Sequence, residues 1–343
     1  MLAVLAGFAA IWIFGWVFAL SFRLRLGLSV ALWSLVVLSL LVLPEGGLRQ
    51  ALGGDVRPWL VLGGIAALVL AYRMGLRALR ARAVPVPPAQ TGPFREAELN
   101  RYARHILLRE IGGPGQARLK SARVLVIGAG GLGSPACLYL AAAGVGHVGV
   151  VDGDRVESSN LQRQVIHRDQ SIGAMKVHSA AEAMRGLNPF ITVTPHPVRL
   201  EADSAESLIA AHDLVLDGTD NFDTRYLVNA VAARLGKPLV SGALTQWEGQ
   251  VSLFHPAAGT PCYACVFPDR PAPGMVPACA EAGVAAPLPG IIGAMMAMEA
   301  VKHLTGAGET LAGRLMIHDA LHAETRVITL RRRTACPVCG GGA

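Results

Sequence analysis

Over its first seventy residues the chain is almost continuously apolar. Leu2 to Phe22 carries no charge, Leu26 to Leu43 is a second uncharged stretch rich in Leu and Val, and Trp59 to Tyr72 is a third. The first two reach the length of about 18 to 20 residues that a membrane-spanning helix requires. The third is shorter and contains Gly63 and Gly64, so it spans only if Arg57 and Arg73 snorkel to the two interfaces. A helix lying in the interface is its alternative. A cleaved signal peptide does not fit the first stretch, which lacks a basic start and is followed almost at once by another apolar segment. The pattern therefore predicts a membrane anchor over residues 1–82, with spans near 2–22, 26–43 and 57–73.

Next comes "VPVPPAQTGP", Val84 to Pro93, where repeated prolines forbid a helix and predict a semi-rigid linker over 83–93. From Phe94 onward, short apolar runs alternate with segments of helical period. Strands are predicted over Val124–Ile127, His147–Asp152, Ile191–Pro195, Leu214–Asp217 and Leu239–Gly242. Helices are predicted over Pro135–Ala143, Lys176–Leu187, Ala205–His212 and Asp223–Leu235. Such alternation implies parallel strands with crossover helices, a Rossmann-like, doubly wound α/β sheet. A chain of 343 residues accommodates one such domain together with the anchor.

The net charge of +7 does not mark a nucleic-acid binder, because the arginines form no single patch with interleaved aromatics. Arg73, Arg77, Arg80 and Arg82 instead follow the third apolar segment. There they read as a positive-inside signal and a contact for anionic lipid head groups.

In a doubly wound sheet the ligand lies at the carboxyl ends of the strands. After the first strand comes "GAGGLG", whose Gly128, Gly130, Gly131 and Gly133 let backbone N–H groups and a helix N-terminus approach a phosphate. After the second comes "DGDRVESSNLQRQ". Asp152 stands roughly twenty residues beyond the glycine turn, where an acidic side chain can bond a ribose hydroxyl. A dehydrogenase would show as much. It has less use for Asn160, Arg163 and Lys176, whose amide and cationic groups suit a phosphate chain and the charge that develops in nucleotidyl transfer. Asp220, in "DGTDNFDTR" after the fourth strand, could hold a magnesium ion. Taken singly, Arg163 and Lys176 read equally well as surface charges and Asp220 as a helix N-cap. Four such residues at strand exits or their loops favour a site.

Cys262 with Cys265 and Cys336 with Cys339 form two C-x-x-C pairs. They can supply four thiolates to a closed tetrahedral zinc site that ties the tail back to the domain, or they can form two disulfides. Cys137 reads as a small buried apolar residue. Cys279 sits in "GMVPACAEAGV", a loop bounded by Pro and Gly.

These residues carry a resemblance. "GAGGLG", "DGDRVESSNLQRQ", "GAMKVHSAAEAMRGLNP", "LVLDGTDNFDTR", "PCYACVFPD" and "PLPGIIGAMMAMEAVKHLTG" occur in the order found in the MoeB/ThiF/HesA family, the prokaryotic relatives of ubiquitin-activating enzymes. The resemblance runs from about Leu99 to the end of the chain. It implies ATP-dependent adenylation of the C-terminal Gly-Gly carboxylate of a small ubiquitin-like sulfur-carrier protein, with release of pyrophosphate. The carrier would be of the molybdopterin-synthase small-subunit type, with a thiamine-pathway carrier as the alternative.

By the same resemblance, Gly131, Asp152, Ser159, Asn160, Leu161, Gln162, Arg163, Lys176, Asp220 and Asn221 contact ATP and its Mg2+. The "RYARH" stretch resembles a motif whose second arginine, here Arg104, reaches into a neighbouring subunit's site, which implies a homodimer; His105 stands where the family usually has Gln. Cys279 matches a cysteine implicated in some members in thioester or persulfide chemistry. An ATP-dependent domain implies a reducing cytosol, which favours Zn2+ over disulfides at the cysteine pairs. No rhodanese-like segment follows those pairs in this sequence, so a separate sulfur donor is expected.

A dinucleotide-dependent oxidoreductase is weaker, because no distinct substrate domain with a catalytic pair is visible. An inactive membrane scaffold would be expected to lose one or more of Arg163, Lys176 and Asp220, and all are present. ATP and carrier are cytosolic, so the domain after Phe94 is expected at the cytoplasmic face of the inner membrane. Three spans then place Arg23 and Arg25 inside, "PEGGLRQALGGDVRP" outside and the later arginines inside, in accord with the positive-inside rule. If only the first two segments crossed, the Arg23/Arg25 turn would lie outside.

Overall fold

The computed structural model describes residues 2–82, 92–271 and 282–340, and the chain divides into two compact units, Met1–Ala89 and Gln90–Ala343. Most of the predicted linker and the whole of the Cys279 loop from residue 272 to 281 lie outside the described residues.

The first unit consists of helices α1 (Leu2–Val17), α2 (Phe22–Val42), α3 (Gly47–Ala51) and α4 (Arg57–Arg82). The first apolar stretch is not one helix to Phe22. It turns at Ala19, whose φ is 51°, and Ser21 then caps α2 by accepting the Leu24 N–H at 3.4 Å. With 16 residues α1 is about 24 Å long, short of the roughly 30 Å hydrocarbon core. The third stretch is longer than its apolar run, because the Arg, Met, Leu and Ala after Tyr72 are good helix formers and carry α4 onward. Among the described residues, Phe22–Val42 and Arg57–Leu79 are the two helices long and apolar enough to cross a membrane.

Inside this unit Val36, Leu40 and Trp59 are buried together. The Trp33 indole N–H donates to the Trp59 carbonyl at 2.9 Å, and its ring lies over Gly63 so closely that a Cβ there would be 2.4 Å away. Leu35, Leu38, Leu41, Leu68 and Val61 remain exposed.

The second unit begins with α5 (Glu96–Ile106) and α6 (Gly112–Ser121). Its alternating part follows as β1 (Arg123–Ile127), α7 (Gly133–Ala143), β2 (His147–Val151), α8 (Lys176–Leu187), β3 (Thr192–His196), α9 (Ala202–Ala210), β4 (Leu214–Asp217), α10 (Phe222–Arg234) and β5 (Leu239–Leu244). The remainder is β6 (Glu248–Phe254), α11 (Tyr263–Val266), α12 (Pro287–Thr305), β7 (Arg314–Asp319) and β8 (Glu324–Thr329). The strands form one eight-stranded sheet in the order β3-β2-β1-β4-β5-β6-β7-β8. Pairing is parallel from β3 to β5 and antiparallel from β5 to β8.

The parallel half matches the predicted alternation within a few residues at each end. The antiparallel half widens the sheet beyond the expected parallel one. Successive residues of β1 point to opposite cores: Val124 and Val126 join Leu140, Met184 and Met296 on one face, and Leu125 and Ile127 join Ile209 and Val228 on the other. This two-sided burial makes the parallel strands read as unbroken apolar runs. Strand order reverses beside β1, so the exits of β1, β2 and β4 open on one crevice.

Helix α12 lies tightly on the β5–β6 pair. A Cβ on Gly249 would sit 2.2 Å from Ile292 Cγ1, and one on Gly242 2.3 Å from Met296 Sδ. Gly249→Val should therefore destabilise the fold by about 1–3 kcal/mol through overpacking. Gly186→Ala, at a helical glycine with nothing within 4 Å, should be neutral or stabilising by up to about 1 kcal/mol. Urea unfolding of the detergent-solubilised chain checks the opposite signs.

Candidate functional site

The glycine loop leaves β1 through Gly128, whose φ is 93° and whose N–H donates to the Val151 carbonyl at 2.8 Å. Helix α7 starts against it. A Cβ on Gly133 would lie 1.8 Å from the Gly128 oxygen, so this turn admits only glycine there. The Ala129 N–H donates to Asp152 Oδ2 at 2.8 Å, and Asp152 Oδ1 accepts the Asp154 N–H at 2.8 Å. Asp152 thus anchors the loop and keeps lone pairs for a hydroxyl donor. The N–H groups of Gly130, Gly131, Leu132 and Gly133 have no acceptor among the described residues. Leu132 and Gly133 are the cap and first residue of α7, and Gly130 and Gly131 lead into it, so the four donors gather at a helix N-terminus, where an anion binds well.

Cationic and amide groups surround this loop. Arg163 comes beside Gly131, its Cδ being 3.8 Å from where a Gly131 Cβ would stand, and its Nη1 donates to the Ser159 carbonyl at 3.4 Å. Asn160 accepts Gln164 Nε2 at 2.8 Å and donates to Glu157 at 3.3 Å. Gln164 is buried, near Gly130, and its Oε1 has no partner among the described residues. Ser159 and Gln162 are exposed and Leu161 is half-buried.

Lys176 opens α8 and is only 6% exposed. Its ammonium is 3.0 Å from Asp154 Oδ2, and Arg199 approaches Asp154 Oδ1 at 3.7 Å. Asp154 was not among the residues expected from sequence. A lone aspartate in a polar loop carries no pattern that marks it as a lysine's partner.

At the exit of β4, Asp220 is exposed and has no partner among the described residues. The N-cap of α10 is Asn221, which accepts the Thr224 N–H at 2.8 Å. The capping alternative for Asp220 is thereby answered, and the Asn221 side-chain oxygen is committed to its helix. Beneath this loop lies a second unexpected pair. Fully buried Asp217 accepts Thr219 Oγ1 at 2.6 Å and Ser241 Oγ at 3.2 Å, and Arg225 Nη1 stands 3.4 Å from it. Arg225 also donates to Ser241 Oγ and to the carbonyls of Gly242 and Thr219. Removing one partner of so buried an ion pair would strand the other's charge.

On α5, Arg101 donates to the Leu187 carbonyl at 2.6 Å and stacks over Phe190, whereas Arg104 is exposed without a partner among the described residues. His105 bonds Gln116 Oε1 through Nδ1 at 3.3 Å.

The four paired cysteines converge. Their sulfurs all lie within 4.8 Å of one another, with Cys262–Cys265 at 3.9 Å, Cys262–Cys336 at 3.6 Å and Cys265–Cys339 at 3.4 Å. Thiolates at about 2.3 Å from a tetrahedral zinc are about 3.8 Å apart, so the cluster fits zinc. All four are free rather than disulfide-bonded. The Arg333 N–H and the Asn229 amide donate to two of the sulfurs, at 3.4 and 3.8 Å. Such outer hydrogen bonds orient metal ligands. Cys137, on the inner face of α7, is fully buried, and burial pushes its thiol up to about 12, which makes it inert.

A model of the ThiF family matches residues 102–338. The sulfur carrier protein adenylyltransferase of Thermus thermophilus is 52% identical over 251 residues, which cover 72% of this chain and 93% of that protein. The SAMP-activating enzyme E1 of Haloferax volcanii is 49% identical, over 71% of this chain and 90% of its own. The solved structure of E. coli MccB superposes with a TM-score of 0.63 at 22% identity, covering 71% of this chain and 73% of that one, a likeness of fold.

The sulfur geometry predicts one zinc per chain. A Cys336→Ser, Cys339→Ser double variant should lose it by elemental analysis and unfold at lower temperature. Full zinc retention would show that the two pairs do not share a metal.

Proposed function

The chain belongs to the ThiF family, and on that premise we propose that it adenylates the C-terminal Gly-Gly carboxylate of a small ubiquitin-like sulfur carrier. The observation that carries this reading is a glycine turn whose four N–H groups have no acceptor among the described residues, at the same carboxyl end of the sheet as buried Lys176 and an Asp220 without a partner among those residues. A carboxylate oxygen attacks the α-phosphorus of ATP as the bond to pyrophosphate breaks. Two anions must meet, so the site needs donors and cations more than a general base.

The N–H groups of Gly130 to Gly133 would cradle phosphate oxygens, and Asp152 would accept a ribose hydroxyl. Arg163 and Lys176 would stabilise the charge on the departing pyrophosphate. Asp220 is a free carboxylate of the kind that holds Mg2+, which neutralises phosphate charge when bound. Exposed, unpartnered Arg104 suits a role in a second copy's site, which calls for a homodimer. Four-thiolate zinc has no open position, so its role is structural.

We read the first unit as an anchor in the inner membrane, with α2 and α4 crossing. The second unit then faces the cytoplasm, where ATP and carrier are. Arg23 and Arg25, at the start of α2, lie inside whether or not α1 also crosses, and Arg73 and Arg77, in the C-terminal part of α4, lie at the inner face.

With a Gly-Gly carrier, the chain should catalyse ATP–pyrophosphate exchange. Lys176→Ala and Asp220→Ala should each lower the exchange rate about a hundredfold or more, and unchanged exchange in both would remove the site assignment. For topology, a reporter active only in the cytoplasm, fused after Phe22, Gly54 or Arg82, should read active, inactive and active. Activity at Gly54 would contradict the crossing of α2.

A further inference from the structure

Beneath the glycine loop lies a group that the proposed chemistry does not use. His167 is 6% exposed and makes two hydrogen bonds. Its Nε2 is 3.0 Å from the Ala129 carbonyl, and its Nδ1 is 3.0 Å from Ser179 Oγ. A carbonyl only accepts, so Nε2 carries the proton, and Nδ1 then accepts from the Ser179 hydroxyl.

We infer that His167 is a positioning residue for the nucleotide: as the neutral Nε2–H tautomer it bolts the glycine loop to the helix that carries Lys176. Ser179 lies three residues after Lys176 in the first turn of α8. One imidazole therefore sets the separation between the loop's N–H groups and the cation that acts with them. The Ala129 residue is gripped at both ends, its N–H by Asp152 and its carbonyl by His167, with Ser134 Oγ a longer contact at 3.5 Å. In a trans peptide the carbonyl and the following N–H point in opposite directions. Holding the Ala129 carbonyl inward thus turns the Gly130 N–H outward, toward an approaching phosphate. The inference deepens the nucleotide half of the proposed adenylation and stands whether or not the carrier half is correct.

Burial lowers the His167 pKa from 6.5; Lys176, on the helix that carries Ser179, lowers it further, while the Ala129 bond and Asp152 act the other way. The neutral form is the one the fold favours. As pH falls below 6.5, a proton binds preferentially to conformations in which the loop is released. Protonation at Nδ1 would also force the Ser179 hydroxyl to reverse.

The test measures the affinity of the full chain for α,β-methylene ATP by calorimetry, from about pH 5 to 8, alongside exchange kinetics. His167→Leu should weaken analogue binding about tenfold at pH 7.5, the scale of a lost buried hydrogen bond, with carrier KM unchanged. His167→Gln can donate to Ala129 and accept from Ser179. It should restore most of the affinity and, having no titratable group, show less acid-side weakening than the unmodified chain, keeping only the part that comes from protonation of the analogue's own terminal phosphate. Unchanged affinity in His167→Leu, or the same acid-side weakening in His167→Gln, would overturn the assignment. If His167→Leu does not fold, the His167→Gln pH profile decides alone. Absence of exchange in the unmodified chain, with analogue binding still shifted in the variants, would count against adenylation and leave the role of His167 standing.

Discussion

At the end of β1 two backbones meet with no room between them. The Gly128 oxygen occupies the space a Gly133 side chain would need, and the Gly218 carbonyl after β4 lies 3.1 Å from where a Gly128 Cβ would stand. This contact brings the start of α7 onto the end of β1 and sets the exit of β4 beside them. Any side chain here would push the helix N-terminus away from the sheet. The unpaired N–H groups, the Asp152 anchor and the approach of Arg163 all depend on that seating.

Two further constraints hold the rest of the site in place. The buried Asp217–Arg225 pair ties the β4 exit to Ser241 and Gly242 on β5, so the loop bearing Asp220 rests on a fixed network while Asp220 itself stays free. Farther out, the cysteine cluster joins the chain's last turn to α11 and, through Asn229, to α10. Four thiolates brought together without a cation would repel, which is why a metal and not packing alone suits this corner.

The parallel half of the sheet was legible because its strands are buried on both faces and so appear as unbroken apolar runs. The antiparallel half was not. All six residues of β8 are exposed, and β7 mixes Arg, His and Asp with its apolar residues, so neither yields a run nor a clean alternation. Among site residues, glycines and cysteines were readable because their spacing carries the chemistry. Asp154, Asp217 and Arg225 were not, since their roles arise from partners that only the folded loops and strands bring together. The N-cap reading fell on Asp220, one residue before the Asn221 that caps α10, because both residue types cap helices well and composition does not fix the helix start to a single residue. The first apolar stretch was read as longer than its helix because composition does not register the turn at Ala19.

The central claim is that the nucleotide is consumed at its α-phosphorus by a carboxylate. Carrier protein labelled with 18O in both C-terminal carboxylate oxygens, incubated with ATP, Mg2+ and sulfide, tests it most directly. Attack by the carboxylate leaves one of its oxygens bonded to phosphorus, and that oxygen departs with AMP when sulfide takes the acyl group. Mass spectrometry should find AMP carrying one 18O and pyrophosphate carrying none. Unlabelled AMP, or ADP as the product, would contradict the account.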